Sequence, residues 1–163
     1  MRNLLIVSAL ILFTGIACDH TSKPVPVDIN AEEAVINDVI DNLYTAMKEQ
    51  DVSNMAAPLS EDALICGSDP SEFWTKQEII DEWSQTLTDS VTEFEFIGDR
   101  RIIVAPDGKS ATAVDQIIFP GISLPWRFAY QFIKTDDNWK IFFLNIAVLP
   151  KNEDLAKIDE VVK

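Results

Sequence analysis

Histidine is almost absent from this sequence of 163 residues: the only one is His20, near the amino terminus. Ser-His-Asp and Cys-His hydrolases, and zinc or iron centres with histidine ligands, need histidine within the folded domain. The sequence also lacks a glycine-rich phosphate loop and a Gly-x-Ser-x-Gly nucleophile elbow. Any catalysis is therefore left to carboxylate, arginine, tyrosine and amide side chains.

Basic residues are also scarce, with 13 Lys and Arg against 27 Asp and Glu and a formal net charge of −14. This charge repels nucleic-acid phosphates and anionic lipid headgroups, so nucleic acid is not an expected partner. The adjacent Asp136 and Asp137 are typical of a tight turn, and the sequence shows no cluster of the about six to eight oxygen ligands that calcium needs. We expect no metal and no cofactor.

No apolar run is long enough for a membrane-spanning helix, which needs about 20 residues. The run of apolar and small residues from Leu4 to Ala17 has fourteen. With Arg2 before it and small residues after it, the run has the layout of a secretory signal. Its end, Gly15–Cys18, resembles the bacterial lipobox, in which the cysteine is acylated and becomes the mature amino terminus. We therefore predict a lipoprotein signal peptide over residues 1–18.

An acylated Cys18 would place the protein, after export, on a membrane of the cell envelope through a lipid anchor. A plain secreted protein is the alternative. Residues 19–30 are mostly polar and contain two prolines, which predicts a flexible tether. Cys66 then has no partner for an intramolecular disulfide, and its apolar setting predicts a buried strand with an inert thiol in the core.

The remaining sequence predicts helices first and long strands afterwards. Capping-box patterns that begin at Asn30 and Thr75 precede helices over about 31–50 and 76–88. This order is typical of the α+β class, with N-terminal helices covering one face of a curved antiparallel sheet. The other predicted elements are a short helix at about 53–59, a short strand at about 63–66 and long strands at about 92–104, 110–119, 125–134 and 138–149.

Several short segments occur in an order that carries a family resemblance. They are Gly67–Pro70, Phe73–Lys76, Ala111–Gln116, Trp126–Arg127, Asp136–Ile141, Asn145 and Pro150–Asn152. This ordered set resembles SnoaL-like domains of the nuclear transport factor 2-like superfamily.

The resemblance implies a SnoaL-like domain over residues 31–150, followed by a tail or short helix over 151–163. It also implies a cone-shaped fold, whose sheet wraps around the helices and leaves a cavity open at one end, and often a dimer that pairs sheet against sheet.

The resemblance also implies a set of cavity residues. Alternation along the predicted strand places Arg127, Ala129 and Gln131 on one face and Trp126, Phe128, Tyr130 and Phe132 on the other. By the resemblance, Arg127 and Asn145 line the cavity, and Asp115 on the neighbouring strand joins them. Arg127 would orient an anionic or carbonyl oxygen, Asn145 would donate a hydrogen bond, and Asp115 is the candidate catalytic base. A structural Asp–Arg ion pair is the alternative.

The rest of the expected cavity lining is apolar. Tyr44 and Trp83 are expected to border the cavity with one edge of each ring. Phe143 and Ala147 stand where related domains often have polar side chains or histidine. The cavity has therefore lost hydrogen-bonding groups, which favours holding an apolar molecule over moving protons.

Three functions follow from these observations. The favoured one is a noncatalytic, membrane-tethered domain that binds a small, largely apolar ligand in the cone. The second is an isomerase, dehydratase or cyclase with Asp115 as general base, which requires that this carboxylate point into an open cavity. The third is a protein-interaction module acting through the outer sheet face. Because the strands are apolar on both faces, we also expect a homodimer that covers this outer face.

Overall fold

The helices come first along the chain and the long strands last, so the predicted α+β class is confirmed. The computed structural model describes residues 26–87 and 93–162, and the predicted signal peptide and most of the predicted tether lie outside them. Within these ranges no helix is long and apolar enough to cross a membrane. The elements are α1 (Ile29–Glu49), α2 (Val52–Ala56), β1 (Leu59–Cys66), β2 (Phe73–Thr75), α3 (Lys76–Thr86), β3 (Glu95–Phe96), β4 (Arg101–Val104), β5 (Ser110–Ile118), β6 (Trp126–Thr135), β7 (Asn138–Val148) and α4 (Leu155–Val161).

Both long helices begin at side-chain caps. Before α1, the carboxylate of Asp28 accepts a hydrogen bond from the backbone N–H of Ala31 at 3.2 Å. The cap therefore lies two residues before the predicted Asn30. Before α3, the predicted capping box of Thr75 and Glu78 is confirmed: the Glu78 carboxylate accepts a hydrogen bond from the Thr75 backbone N–H at 2.8 Å. These bonds satisfy donors that a helix terminus leaves unpaired.

The strands form one curved, open sheet in the order β2–β1–β7–β6–β5–β3, and β4 also pairs with β5. Every pair is antiparallel except β1–β7, which is parallel. A parallel pair needs a long connection between its strands. Here α3 and all the intervening strands provide it. The curved antiparallel sheet expected from the sequence is thus present, with one parallel pair near an edge.

The predicted long strand over 92–104 is two short strands in its described part. β3 and β4 both pair with β5, and residues 97–100 separate them. Gly98, at φ +72°, has a left-handed conformation that interrupts an extended strand and that glycine adopts without strain. The break matters for the site described below because it decides which of two consecutive arginines points inward.

The core lies between α1 and the sheet face that packs against it, here called the inner face. α1 contributes Ile36, Ile40, Leu43 and Tyr44, all buried. At the start of α1 the Glu32 carboxylate binds Lys134 at 2.6 Å and the Trp139 indole N–H at 2.7 Å, which ties the helix to β6 and β7. The buried inner-face residues of the three long strands include Ala113, Ile117, Phe128, Tyr130, Phe132, Trp139, Ile141 and Leu144.

Cys66 lies in a strand, as predicted, but not in the core. Its neighbour Ile65 is fully buried, so alternation along β1 turns Cys66 to the outer face, beside Asn145 in the parallel register. The thiol there is free and half-buried. The expectation of a core thiol is therefore wrong, because the apolar run could not show which residue of the pair faces α1.

Candidate functional site

Arg127 lies on the outer face of the sheet, away from α1. On β6 the residues that alternate with it, Phe128 and Tyr130, are buried against the helix, while Arg127 itself is exposed. The predicted separation of the two faces is confirmed. The expectation that the Arg127 face lines the interior is wrong, because α1 covers the aromatic face instead.

A bulge in β7 explains where Asn145 and Phe143 lie. Gln131 on β6 is opposite Phe143, but the next residue, Phe132, is opposite Ile141. Phe142 is therefore one extra residue in β7, and the alternation of inner and outer positions shifts there. Phe143 and Asn145 consequently face outward, both half-buried, although the simple alternation placed them with the buried Trp139 and Ile141.

Asp115 does point to the interior, where it is 2% exposed. Its partner is Arg100, whose Nε lies 2.9 and 3.0 Å from the two carboxylate oxygens. The same guanidinium, through Nη1, donates to Asp41 at 2.8 Å and to the side-chain oxygen of Asn37 at 2.7 Å, both on α1. Arg100 thus joins the sheet to the helix and neutralises the buried charge.

Burial raises the pKa of the Asp115 carboxyl above its ordinary value, although the charge and hydrogen bonds of Arg100 act in the opposite direction. The hydroxyl of Tyr44 also favours the ionised carboxylate. Tyr130 donates a hydrogen bond to the Tyr44 hydroxyl at 3.1 Å. Burial raises the pKa of both tyrosines as well, so these hydroxyls remain protonated and act as hydrogen-bonding groups.

The centre of the cone is filled by side chains. Tyr130, Ile36, Ile40, Ala113 and Ile141 have no exposed surface, so no space large enough for water adjoins them. Around Tyr44, aromatic rings pack with centroid separations of 5.1 Å to Phe94, 5.0 Å to Phe96 and 6.1 Å to Phe128. Of the predicted site residues, Asp115 and Tyr44 therefore meet in the interior, whereas Arg127, Asn145 and Phe143 share the outer face of the neighbouring strands β6 and β7. Trp83 is half-buried on α3 and packs against the core.

Sequence reasoning missed Arg100, the residue on which the interior network depends. The sequence Asp99-Arg100-Arg101 contains two arginines in a segment predicted as one continuous strand. With the strand broken after Phe96, the alternation could not be counted across the break. Asp115 itself was the available signal, since an acid at an inner position of β5 indicates that a basic residue must lie beside it. A buried carboxylate requires a cation.

Open space occurs instead beside α1, in a groove of about 520 Å³ that we call the α1–β7 groove. Its wall on α1 includes Val35, Val39 and Leu43, and its opposite wall includes Trp139 and Lys140. Half of the lining residues carry polar side chains that can hydrogen-bond a ligand; they are Asn42, Thr45, Glu49, Asn54, Asp137, Asn138 and Lys140. A groove of this volume, lined by apolar and polar side chains in equal number, has the dimensions of a small-molecule site.

The interior network yields a prediction about stability and its pH dependence. Arg100→Gln should lower the free energy of unfolding by about 3 to 5 kcal/mol near neutral pH, because it leaves the buried Asp115 charge unpaired. Without Arg100, the folded-state pKa of Asp115 rises further. The loss should therefore be smallest below the ordinary pKa of an aspartate, grow as the pH rises toward the raised folded-state pKa of Asp115, and level off above it. Urea unfolding between about pH 4 and pH 8 measures both effects.

Arg101→Gln is the matched control for this experiment, because the neighbouring arginine is exposed and should change stability by no more than about 0.5 kcal/mol. Asp115→Asn, introduced into Arg100→Gln, should restore part of the stability at high pH. Equal losses for the two arginine variants, or a loss that does not depend on pH, would contradict the assigned role of Arg100.

The fold is shared with solved structures of low sequence identity. A cystatin-like domain of unknown function from Nostoc punctiforme PCC 73102 is 21% identical, with a TM-score of 0.65 over 80% of this chain and 85% of its own. A nuclear transport factor 2-like protein from Cytophaga hutchinsonii ATCC 33406 is 20% identical, with a TM-score of 0.62 over 72% and 98%. Another, of unknown function, from Pseudomonas putida KT2440 is 14% identical, with a TM-score of 0.64 over 76% and 91%.

No curated protein matches the sequence. The SnoaL-like domain family model matches residues 36–148, a range that extends from the middle of α1 to the end of β7. The match includes the whole sheet and the interior network of Asp115, Arg100 and Tyr44. The chain therefore belongs to the SnoaL-like domain family.

Proposed function

We propose that the protein is a noncatalytic binding domain of the cell envelope, which holds a small, largely apolar molecule in the α1–β7 groove. The observation that carries the proposal is the groove itself, about 520 Å³ in volume, with apolar side chains of α1 along one wall. Val35 remains 48% exposed there. A ligand that covered it would gain the free energy of removing apolar surface from water.

The chain enters the fold just before α1, the helix that forms one wall of the groove. Val27 packs against Gly108 in the turn between β4 and β5: a Cβ added to that glycine would lie 2.7 Å from Val27 Cγ1. This turn is next to the end of β6, through the hydrogen bond from Lys134 N to Lys109 O. Eight residues lie between Cys18 and Val27, a reach of about 30 Å when extended. A lipid anchor on Cys18 would therefore keep the groove close to the bilayer.

The groove predicts where an apolar probe binds. The neutral dye Nile red should bind to a protein that comprises residues 19–163 and should become fluorescent when it does. Val35→Glu should weaken this binding about tenfold, because the ligand would have to desolvate the new charge. Thr45→Trp, at an exposed groove position, should weaken it by filling the space. Fluorescence titration gives the affinities, and mass spectrometry of the native protein identifies any molecule that copurifies.

Ile103→Glu provides the matched control, since it places the same charge on an exposed apolar position of the outer face, where Ile103 is 72% exposed. This variant should bind Nile red as the unchanged protein does. If Ile103→Glu abolished binding while Val35→Glu and Thr45→Trp had no effect, the ligand site would lie on the outer face and the proposal would be wrong.

A general-base role for Asp115 has less support than binding. The carboxylate points inward, as that hypothesis requires, but Arg100 Nε binds both of its oxygens. Side chains with no exposed surface fill the space around it. A substrate proton must come within hydrogen-bonding distance of a base. In this arrangement the carboxylate serves as the internal counterion of Arg100.

We also propose that a second copy of the chain covers the apolar part of the outer sheet face. Exposed apolar side chains lie along it: Ile103 is 72% exposed, Phe142 43% and Leu64 43%. Ile103 and Phe142 line a shallow groove of about 360 Å³. The only acidic residue in β4 to β7 is the inward-pointing Asp115, so two identical apolar patches can meet without the repulsion expected from a net charge of −14. A different protein partner on this face is the alternative.

A dimer through this face predicts a change in mass on mutation. Sedimentation of residues 19–163 should give twice the chain mass at micromolar concentration, and Ile103→Glu should give the monomer mass because it places like charges in the interface. Val35→Glu is the control and should remain dimeric. A monomer for the unchanged protein would contradict the homodimer and leave the outer face to another partner.

The lipid anchor yields its own prediction. Expressed from its full sequence in a bacterium, the protein should partition into the detergent phase of Triton X-114, because acyl chains on Cys18 bring it there. Cys18→Ser should shift it to the aqueous phase. Cys66→Ser removes the other cysteine and should not change the partition. If Cys18→Ser partitioned like the unchanged protein, the anchor would not be a lipid on that residue.

A further inference from the structure

We propose that the outer face of the sheet carries a second binding site, for a small anion with carboxylate or phosphate groups, in a groove across β5 between Arg101 and Arg127. This groove has a volume of about 530 Å³. It lies on the opposite face of the sheet from the α1–β7 groove, so the inference does not depend on the apolar ligand proposed above.

The strand register places the two arginines on either side of β5. Arg101 on β4 is opposite Val114, and Arg127 on β6 is opposite Gln116. Val114 and Gln116 face outward because they alternate with the buried Ala113 and Asp115. They form the floor of the groove, and the arginines form its walls. Strands on either side of a third are about 10 Å apart, so both guanidinium groups can reach one ligand.

Among the described residues, the two arginines of the groove lack the carboxylate partners that several other cations of this protein have. Its sequence has twice as many acidic as basic residues, and Arg100, Lys76 and Lys134 are all paired with carboxylates. Within residues 26–87 and 93–162, neither Arg101 nor Arg127 makes an ion pair or a side-chain hydrogen bond. Two like charges across one groove repel each other, and a bound anion between them would replace repulsion with attraction.

The chemistry of the groove selects the ligand class. A guanidinium presents a planar fork of N–H donors that matches carboxylate and phosphate oxygens. The Gln116 amide on the floor adds a donor between the two forks. Asp99 lines the same groove, and its carboxylate opposes anion binding. Asp99 therefore provides a test in which removal of a charge should strengthen the interaction.

Calorimetric titration of the full chain in nonionic detergent at low salt, with inorganic phosphate and with citrate as probes, tests the site. At least one anion should bind, and the stronger of the two shows whether phosphate or carboxylate chemistry is preferred. Arg101→Gln and Arg127→Gln should each weaken binding about tenfold, and the double variant should lose it. Asp99→Asn should strengthen binding about threefold.

Lys109→Gln is the matched control, because it removes one positive charge at an exposed position outside the groove and should leave affinity unchanged. Sedimentation and thermal unfolding of the same samples exclude a change of assembly or fold as the cause. Three results would overturn the inference: no binding of either anion at millimolar concentration, unchanged binding in the double variant, or an equal loss in Lys109→Gln.

Discussion

The buried charge of Asp115 is the constraint on which the arrangement of this domain depends. A carboxylate that is 2% exposed is tolerated only with a cation and further hydrogen bonds around it. Arg100 meets that need from the β3–β4 connection, and the same guanidinium also binds Asp41 and Asn37 on α1. One side chain therefore fixes the distance between the helix and the sheet and holds the broken edge strand in place.

This interaction also determines what the outer face presents. Because Asp115 and Arg100 must point inward, the outward positions next to them fall to Gln116 and Arg101. A slip of one residue in β5 would expose the carboxylate and bury Gln116 against α1, so the register is strongly specified. The inward-pointing pair of Asp115 and Arg100 and the outward-pointing, unpaired Arg101 thus both result from the alternation of side chains along these strands.

The sequence predicted local order well and the choice of faces poorly. The capping box at Thr75, the two long helices and strands β5 to β7 follow from short-range spacing. The location of Arg127 does not, because spacing shows that Phe128 lies on the opposite face but not which face meets α1. Asn145 could not be placed either, since the bulge at Phe142 shifts the alternation between β7's two halves. Packing against the helix decides both, and it involves residues distant in sequence.

The packing of the interior separates two roles that a cone-shaped fold can perform. A catalytic carboxylate needs room for a substrate within hydrogen-bonding distance. Asp115 has both oxygens bound by Arg100, and Tyr130 next to this network has no exposed surface. Opening that space for a substrate would cost the free energy of the side-chain packing that now fills it. Grooves at the surface carry no such cost, because Val35 and Arg127 already face solvent. Ligand binding at these grooves is therefore compatible with the interior that holds the fold together, whereas chemistry at Asp115 requires that interior to be dismantled.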